Sequence, residues 1–137
     1  MILGIGTDIV DARRIQAAMD RHPNKFAKRI FSDAEITAAK ESSNQASYFA
    51  KRFAVKEAVY KALSVSGVKG CGWREAETLS ASNGAPMVKL TGRCKTALET
   101  MTPDGYNARL SVSLSDEPPY ALAFIVISAV PAEWNKT

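Results

Sequence analysis

Residues 49–63 read Phe-Ala-Lys-Arg-Phe-Ala-Val-Lys-Glu-Ala-Val-Tyr-Lys-Ala-Leu, and ten of the fifteen are apolar or aromatic. They surround the cylinder of a helix instead of forming one stripe, and a helix apolar nearly all round is a buried one. With the preceding turn, residues 46–63 are predicted to form the longest helix of the chain. Its charges then need partners, because a buried charge is costly unless paired. Glu57 and Lys61, four residues apart, share one face, and Arg52 and Lys56 share another. An exposed Glu57–Lys61 pair is worth only about 0.3–0.5 kcal/mol, too little to offset desolvation. Either that face is wet or something binds there. A cleft holding a cation and a phosphate would use both charges, the carboxylate for one and the ammonium for the other.

Working outward, residues 2–10 (Ile-Leu-Gly-Ile-Gly-Thr-Asp-Ile-Val) read as a buried strand carrying one acid, Asp8. A carboxylate in so apolar a strand must be hydrogen-bonded, paired or bound to a metal. It either sits at the strand end bonding backbone N–H groups or serves a site. Asp11 is placed to cap a helix over residues 12–21, with Ile15 and Met19 inward, stopping before Pro23. A short helical turn over residues 25–30 follows. Ser32-Asp33-Ala34-Glu35 has capping-box spacing and opens a helix to about residue 41. Gly67, Gly70 and Gly72 break the chain after the long helix. Residues 75–82 and 87–90 read as a hairpin across Asn83-Gly84, residues 91–101 as a helix, and 107–114 as an alternating strand. After Asp116-Glu117-Pro118-Pro119 the last strand runs over residues 120–129. Helices early and hairpins late predict an α+β fold, one domain over residues 1–137, with a mostly antiparallel sheet packed on a long central helix.

Composition narrows the functional classes. The chain has 137 residues, 46% hydrophobic and 23% charged, which is globular and not disordered. The start lacks the basic-then-apolar pattern of a signal peptide, and the longest apolar run, residues 120–127, is too short to span a bilayer. Cys71 and Cys94 make neither a disulfide framework nor a metal cluster and read as thiols of a reducing cytoplasm. The net charge is +4, yet residues 12–31 alone hold six basic residues against one acid, Asp20. A one-signed cluster is either a solvated helix face or a docking surface for an acidic partner. Nucleic acid is a poor fit, since Phe26 and Phe31 are the only aromatics in that segment and both suit core positions.

These residues carry a resemblance. Gly4-Ile5-Gly6-Thr7-Asp8-Ile9-Val10, the run 49–58 followed by Lys61-Ala62, Asn83-Gly84-Ala85-Pro86, and Val112-Ser113-Leu114-Ser115-Asp116-Glu117 with Tyr120-Ala121 resemble, in order and spacing, the signatures of the holo-acyl-carrier-protein synthases. The resemblance covers essentially the whole chain. It implies a cytoplasmic transferase of fatty acid biosynthesis that moves 4′-phosphopantetheine from coenzyme A to a serine of apo-acyl carrier protein, with magnesium as cofactor. By position, it implies Asp8 and Glu57 as metal ligands and Lys61 facing the diphosphate. Arg52 and Lys56 fall near the nucleotide's phosphates, and Asn83, Gly84 and Pro86 fall near the nucleotide. Arg13, Arg14, Arg21 and Arg29 fall on the segment that meets the carrier protein, and the assembly implied is a homotrimer. Ala85 stands where many relatives have lysine, and Asp116 where some branches have histidine. The general base is therefore left between Glu57, Asp116 and a bound water.

The chemistry agrees with that implication. Magnesium keeps several waters and is held by one or two carboxylates plus substrate phosphates, so two acids far apart in sequence suit it better than a dedicated cage would. Two other readings stay open on the residues alone: an idle scaffold of the same fold, and a sister transferase serving carrier domains of polyketide or peptide synthesis.

Overall fold

A computed structural model of the chain describes residues 1–135; residues 136 and 137, the end of the predicted domain, lie outside the described part. The elements run β1 (Ile2–Asp11), α1 (Ala12–Arg21), α2 (Lys25–Ile30), α3 (Asp33–Ala39), α4 (Gln45–Leu63), β2 (Ala76–Ser80), β3 (Pro86–Leu90), α5 (Gly92–Met101), β4 (Tyr106–Glu117) and β5 (Tyr120–Pro131). Short 3-10 turns sit at Ser64–Ser66, Trp73–Glu75 and Ala132–Asn135. The class is α+β. Strands β1, β5 and β4 form one antiparallel sheet in that order, and β2 and β3 form a separate antiparallel pair.

The long helix is central for the reason its sequence suggested. Eleven of its nineteen residues are buried, spread around the cylinder, and it packs on β1 and β5. The inward face of β5 is small and branched, with Ala121, Ala123, Ile125 and Ile127 buried. On β1 the inward positions are Gly4, Gly6, Asp8 and Val10, by the two-residue alternation of a strand. A Cβ at Gly6 would collide with the carbonyl oxygen of Ala58, and one at Gly4 with that of Ala62. These glycines let the strand backbone lie directly on the helix, and the next inward residue along β1 is Asp8.

The caps form as predicted. The Asp11 side chain accepts from Arg13 N at 2.9 Å, and Ser32 with Glu35 makes the reciprocal capping box that opens α3. The hairpin differs. The strands are shorter, with residues 81–85 as a five-residue connection held by Ala81 N donating to Ala85 O and Gly84 N donating to Ala81 O. Gly84 takes φ +83° there, a left-handed conformation that glycine adopts without penalty. Glu75 belongs to the preceding 3-10 turn and not to the strand.

Lys56 requires a correction. The expectation placed it near nucleotide phosphates, yet its ammonium is sealed inside the fold. It donates to Glu35 Oε1 at 2.9 Å and to Ala76 O at 2.7 Å, and both charged side chains are 0% exposed. The other oxygen of Glu35 accepts from Thr78 N at 3.1 Å. Such a pair survives burial only because each remaining polar atom also has a partner. It fastens α3, α4 and β2 together, and it cannot reach a phosphate in solvent.

Candidate functional site

Asp8 and Glu57 line one open cavity of about 610 Å³ between β1, α1, α2 and α4. Lys61, one turn beyond Glu57, does not pair with it. Its ammonium reaches across to the strand, donating to Asp8 Oδ1 at 3.1 Å and to Thr7 O at 2.9 Å, a contact between residues 53 apart in sequence. Asp8 is therefore an ion-pair partner at the cavity edge and does not cap the strand end. Burial, and next the Asp8 charge, push the Glu57 carboxyl above the ordinary glutamate value, while Lys61 pulls it back. Both carboxylates stand on the wall of the same cavity. Two hard oxygen donors on one wall could hold a divalent cation with room for waters and substrate oxygens. Among the described residues no group of three or more His, Cys, Asp or Glu forms a fuller cage. Two carboxylates and an open cavity fit magnesium, which dehydrates reluctantly.

The basic segment supplies the rest of this cavity. Arg14 and Arg21 line it, with Phe53 and Phe26 as apolar wall. Arg13 turns away, its guanidinium on Asp11 Oδ2 at 2.8 Å. Arg29 is exposed on α2 and lines none of the main cavities. His22, the one histidine, is exposed between α1 and α2.

The remaining predicted residues gather elsewhere. Arg52, Gly84, Pro86 and Asp116 line a second cavity of about 360 Å³ with Lys51 and Ser113. Arg52 is 8% exposed, and its guanidinium lies 4.0 Å from the centre of the Tyr48 ring. Asp116 pairs with Lys51 at 3.5 Å. Asn83 shapes the neighbouring loop, its Oδ1 accepting from Ala85 N at 3.0 Å. The two cavities share no lining residue. Arg52 and Glu57 are five residues apart, so about 140° of helical rotation separates them. One copy of the chain thus presents two separate cavities facing different ways.

Sequence reasoning did not pick out Trp73, whose ring lies against Phe53 and Tyr60 at centroid distances of 5.2 and 5.1 Å. Nor did it find Glu35 as the partner of Lys56. A tryptophan beside a glycine-rich break was the one visible hint of the former.

Two carboxylates, a lysine and a basic helix thus stand together where β1 meets α4. The chain belongs to the 4′-phosphopantetheinyl transferase superfamily, whose sequence profile matches residues 4–124. Within that superfamily it is similar to the holo-[acyl-carrier-protein] synthase of Methylorubrum populi, at 44% identity over 131 residues covering 96% of each chain. Among solved structures it is similar to the holo-[acyl-carrier-protein] synthase of Neisseria meningitidis, with a TM-score of 0.80 and 35% identity over 93% of this chain and 99% of that one. The Helicobacter pylori holo-[acyl-carrier-protein] synthase, solved with coenzyme A, aligns with a TM-score of 0.73 and 31% identity over 90% and 99% of the two chains.

Proposed function

We propose that the chain transfers 4′-phosphopantetheine from coenzyme A to a serine of an apo-acyl carrier protein, releasing 3′,5′-ADP. The observation that carries this reading is that Asp8 and Glu57 share one cavity wall, with Lys61 held on Asp8, on a family background of phosphopantetheinyl transfer. Asp8 and Glu57 would hold magnesium. When bound, the ion supplies electrostatic neutralisation of the diphosphate as its P–O bond breaks. Lys61 sits where it can exchange its contact with Asp8 for a phosphate oxygen and stabilise the departing 3′,5′-ADP. The serine oxygen forms the new bond to the phosphorus that carries pantetheine, and its proton passes to a carboxylate. Glu57 is the candidate base within the first cavity, and Asp116 is a candidate only if the second cavity closes on the first.

That closure is the reason to propose a homotrimer. Arg52, Asn83, Gly84, Pro86 and Asp116 of one copy would complete the site begun by Asp8, Glu57 and Lys61 of the next. The outward face of the three-stranded sheet favours association, since Ile5, Ile9, Leu122 and Phe124 are 53%, 63%, 41% and 43% exposed there. Light scattering in solution should give the mass of three chains; a monomer that retains full turnover would remove the proposal.

Arg14 and Arg21 on the first cavity, with Arg13 and Arg29 on the same basic segment, would steer an acidic carrier protein. A cytoplasmic setting is consistent with the two free thiols. No helix among the described residues is long and apolar enough to cross a membrane.

The test is to incubate apo-carrier protein with coenzyme A, with and without magnesium, and to look by mass spectrometry for the mass of phosphopantetheine. Glu57→Gln should abolish the magnesium-dependent gain with the fold intact. Near-wild-type turnover by that variant would overturn the assignment.

A further inference from the structure

Trp73 lies outside every signature in the sequence, yet both its ring contacts fall on α4 to either side of Glu57. Its indole stacks on Phe53 with the planes 23° apart, and it meets Tyr60 at 54°. Phe53 precedes Glu57 by four residues and Tyr60 follows it by three, so all three side chains leave the same face of the helix on successive turns. One indole therefore bridges the turn from which Glu57 projects. Phe53 carries the contact into the cavity, whose wall it shares with Glu57 and Asp8. The Tyr60 hydroxyl is buried with no hydrogen-bond partner among the described residues, so that ring is held there by packing and not by a polar tether.

The mount beneath Trp73 is rigid. Glu75, two residues on, accepts from Gly72 N with one carboxylate oxygen and from Arg93 N at 2.9 Å with the other. Its carbonyl accepts from Thr91 N at 2.9 Å. The 3-10 turn is thereby fastened to the start of α5. On the opposite flank of Glu57 stand Asp8 and its partner Lys61. The Glu57 carboxylate thus faces the cavity between the aromatic stack and β1.

We propose that Trp73 is a positioning residue for Glu57: by clamping Phe53 and Tyr60 it sets the direction from which the Glu57 carboxylate meets a divalent cation. The inference rests on the reading of Asp8 and Glu57 as the cation ligands. Groups behind a ligand that fix its orientation commonly govern both affinity and rate.

The experiment uses Mn²⁺ alone as the probe, in a Trp134→Phe background. Trp134 is 67% exposed near the C-terminus, and its replacement leaves Trp73 as the sole tryptophan, the chain having two. Saturable quenching of Trp73 emission by Mn²⁺ is expected, and its loss when Glu57→Gln is added. By calorimetry, Trp73→Ala should weaken Mn²⁺ binding on the order of tenfold, and Trp73→Phe, which keeps a ring, by about threefold or less. In turnover, kcat should follow the same order while KM for carrier protein stays unchanged. Wild-type Mn²⁺ affinity in a folded Trp73→Ala protein would overturn this inference alone. Failure of the wild-type protein to bind Mn²⁺ would overturn the ligand reading and this inference with it. If Trp73→Ala does not fold, the quenching decides: bound Mn²⁺ that leaves Trp73 emission untouched refutes the proposal.

Discussion

Replacing Lys56 with methionine keeps the reach of the side chain and deletes its ammonium. In the native fold that group donates to Glu35 Oε1 and Ala76 O at 2.9 and 2.7 Å. Burial lowers the proton affinity of Lys56 below the ordinary lysine value, and the Glu35 charge opposes that shift. Without the ammonium, Glu35 keeps the N–H donors of Ser32 and Thr78 but remains a sealed carboxylate with no counter-charge. Breaking a buried pair from one side costs about 3–5 kcal/mol, a large part of the roughly 5–15 kcal/mol that holds a typical domain folded. At about 3–5 °C per kcal/mol for a chain of this length, Tm should fall by about 9–25 °C. Adding Glu35→Gln removes the stranded charge while preserving an acceptor for the α3 cap, so the double variant should be more stable than Lys56→Met alone. Urea unfolding followed by circular dichroism measures both. Two-substrate kinetics, run where the variant is still folded, should show KM for coenzyme A unchanged. A loss of stability below about 1 kcal/mol, or a stable variant with a raised KM for coenzyme A, would refute the reasoning and return Lys56 to the phosphates.

Gly6→Ala places a methyl group on the carbonyl oxygen of Ala58 and Gly4→Ala places one on that of Ala62, backbone atoms that no companion side-chain change can clear. Overpacking of this kind costs about 1–3 kcal/mol, and because Asp8 moves with β1, turnover should fall further than stability; wild-type activity in Gly6→Ala would contradict the role given to that close approach. Arg14→Glu on the first cavity should raise KM for carrier protein, more so at low salt, and spare KM for coenzyme A; equal effects on both would count against docking. The Arg13 side chain and then its backbone N–H hold Asp11 below its ordinary value of 3.8. A depressed carboxyl stabilises the fold above that pH and loses its contribution as pH falls through the folded-state value. Asp11→Asn keeps the cap, so its Tm deficit should be constant near neutrality and close in acid; a deficit independent of pH would be the wrong outcome.

What the sequence disclosed were features set by one element at a time. Apolar residues on all sides of residues 49–63 are enough to bury that helix, and Ser32 with Glu35 is enough to cap the next one. Asp8 stood out because its own strand gave it no reason to be there. Features that need two elements to meet stayed hidden. Glu35 was legible as a cap residue but not as the counter-ion of Lys56, 21 residues on, because the cap already accounted for it. Glu57 and Lys61 at i and i+4 suggested a local pair, yet Lys61 goes to Asp8, since the glycines of β1 bring the strand closer than any side chain would allow. Arg52 and Asp116 fitted the same motif set as Glu57, but helical rotation turns Arg52 to another cavity, where the end of β4 brings Asp116, and no linear spacing reveals that.

The central helix has no spare side. Ala58 and Ala62 are met by strand backbone, Lys56 by the interior acid, Phe53 and Tyr60 by the indole and Lys61 by Asp8, while Glu57 opens on one cavity and Lys51 and Arg52 on the other. Substitution along residues 51–62 therefore meets a packed neighbour, an ion pair or a cavity wall on every turn of the helix. Helix α1, whose one buried residue is Ile15, can change much of its surface without touching the core. Mutational tolerance in this fold is divided by element: α4 answers to its neighbours at most positions, and α1 to the core at one.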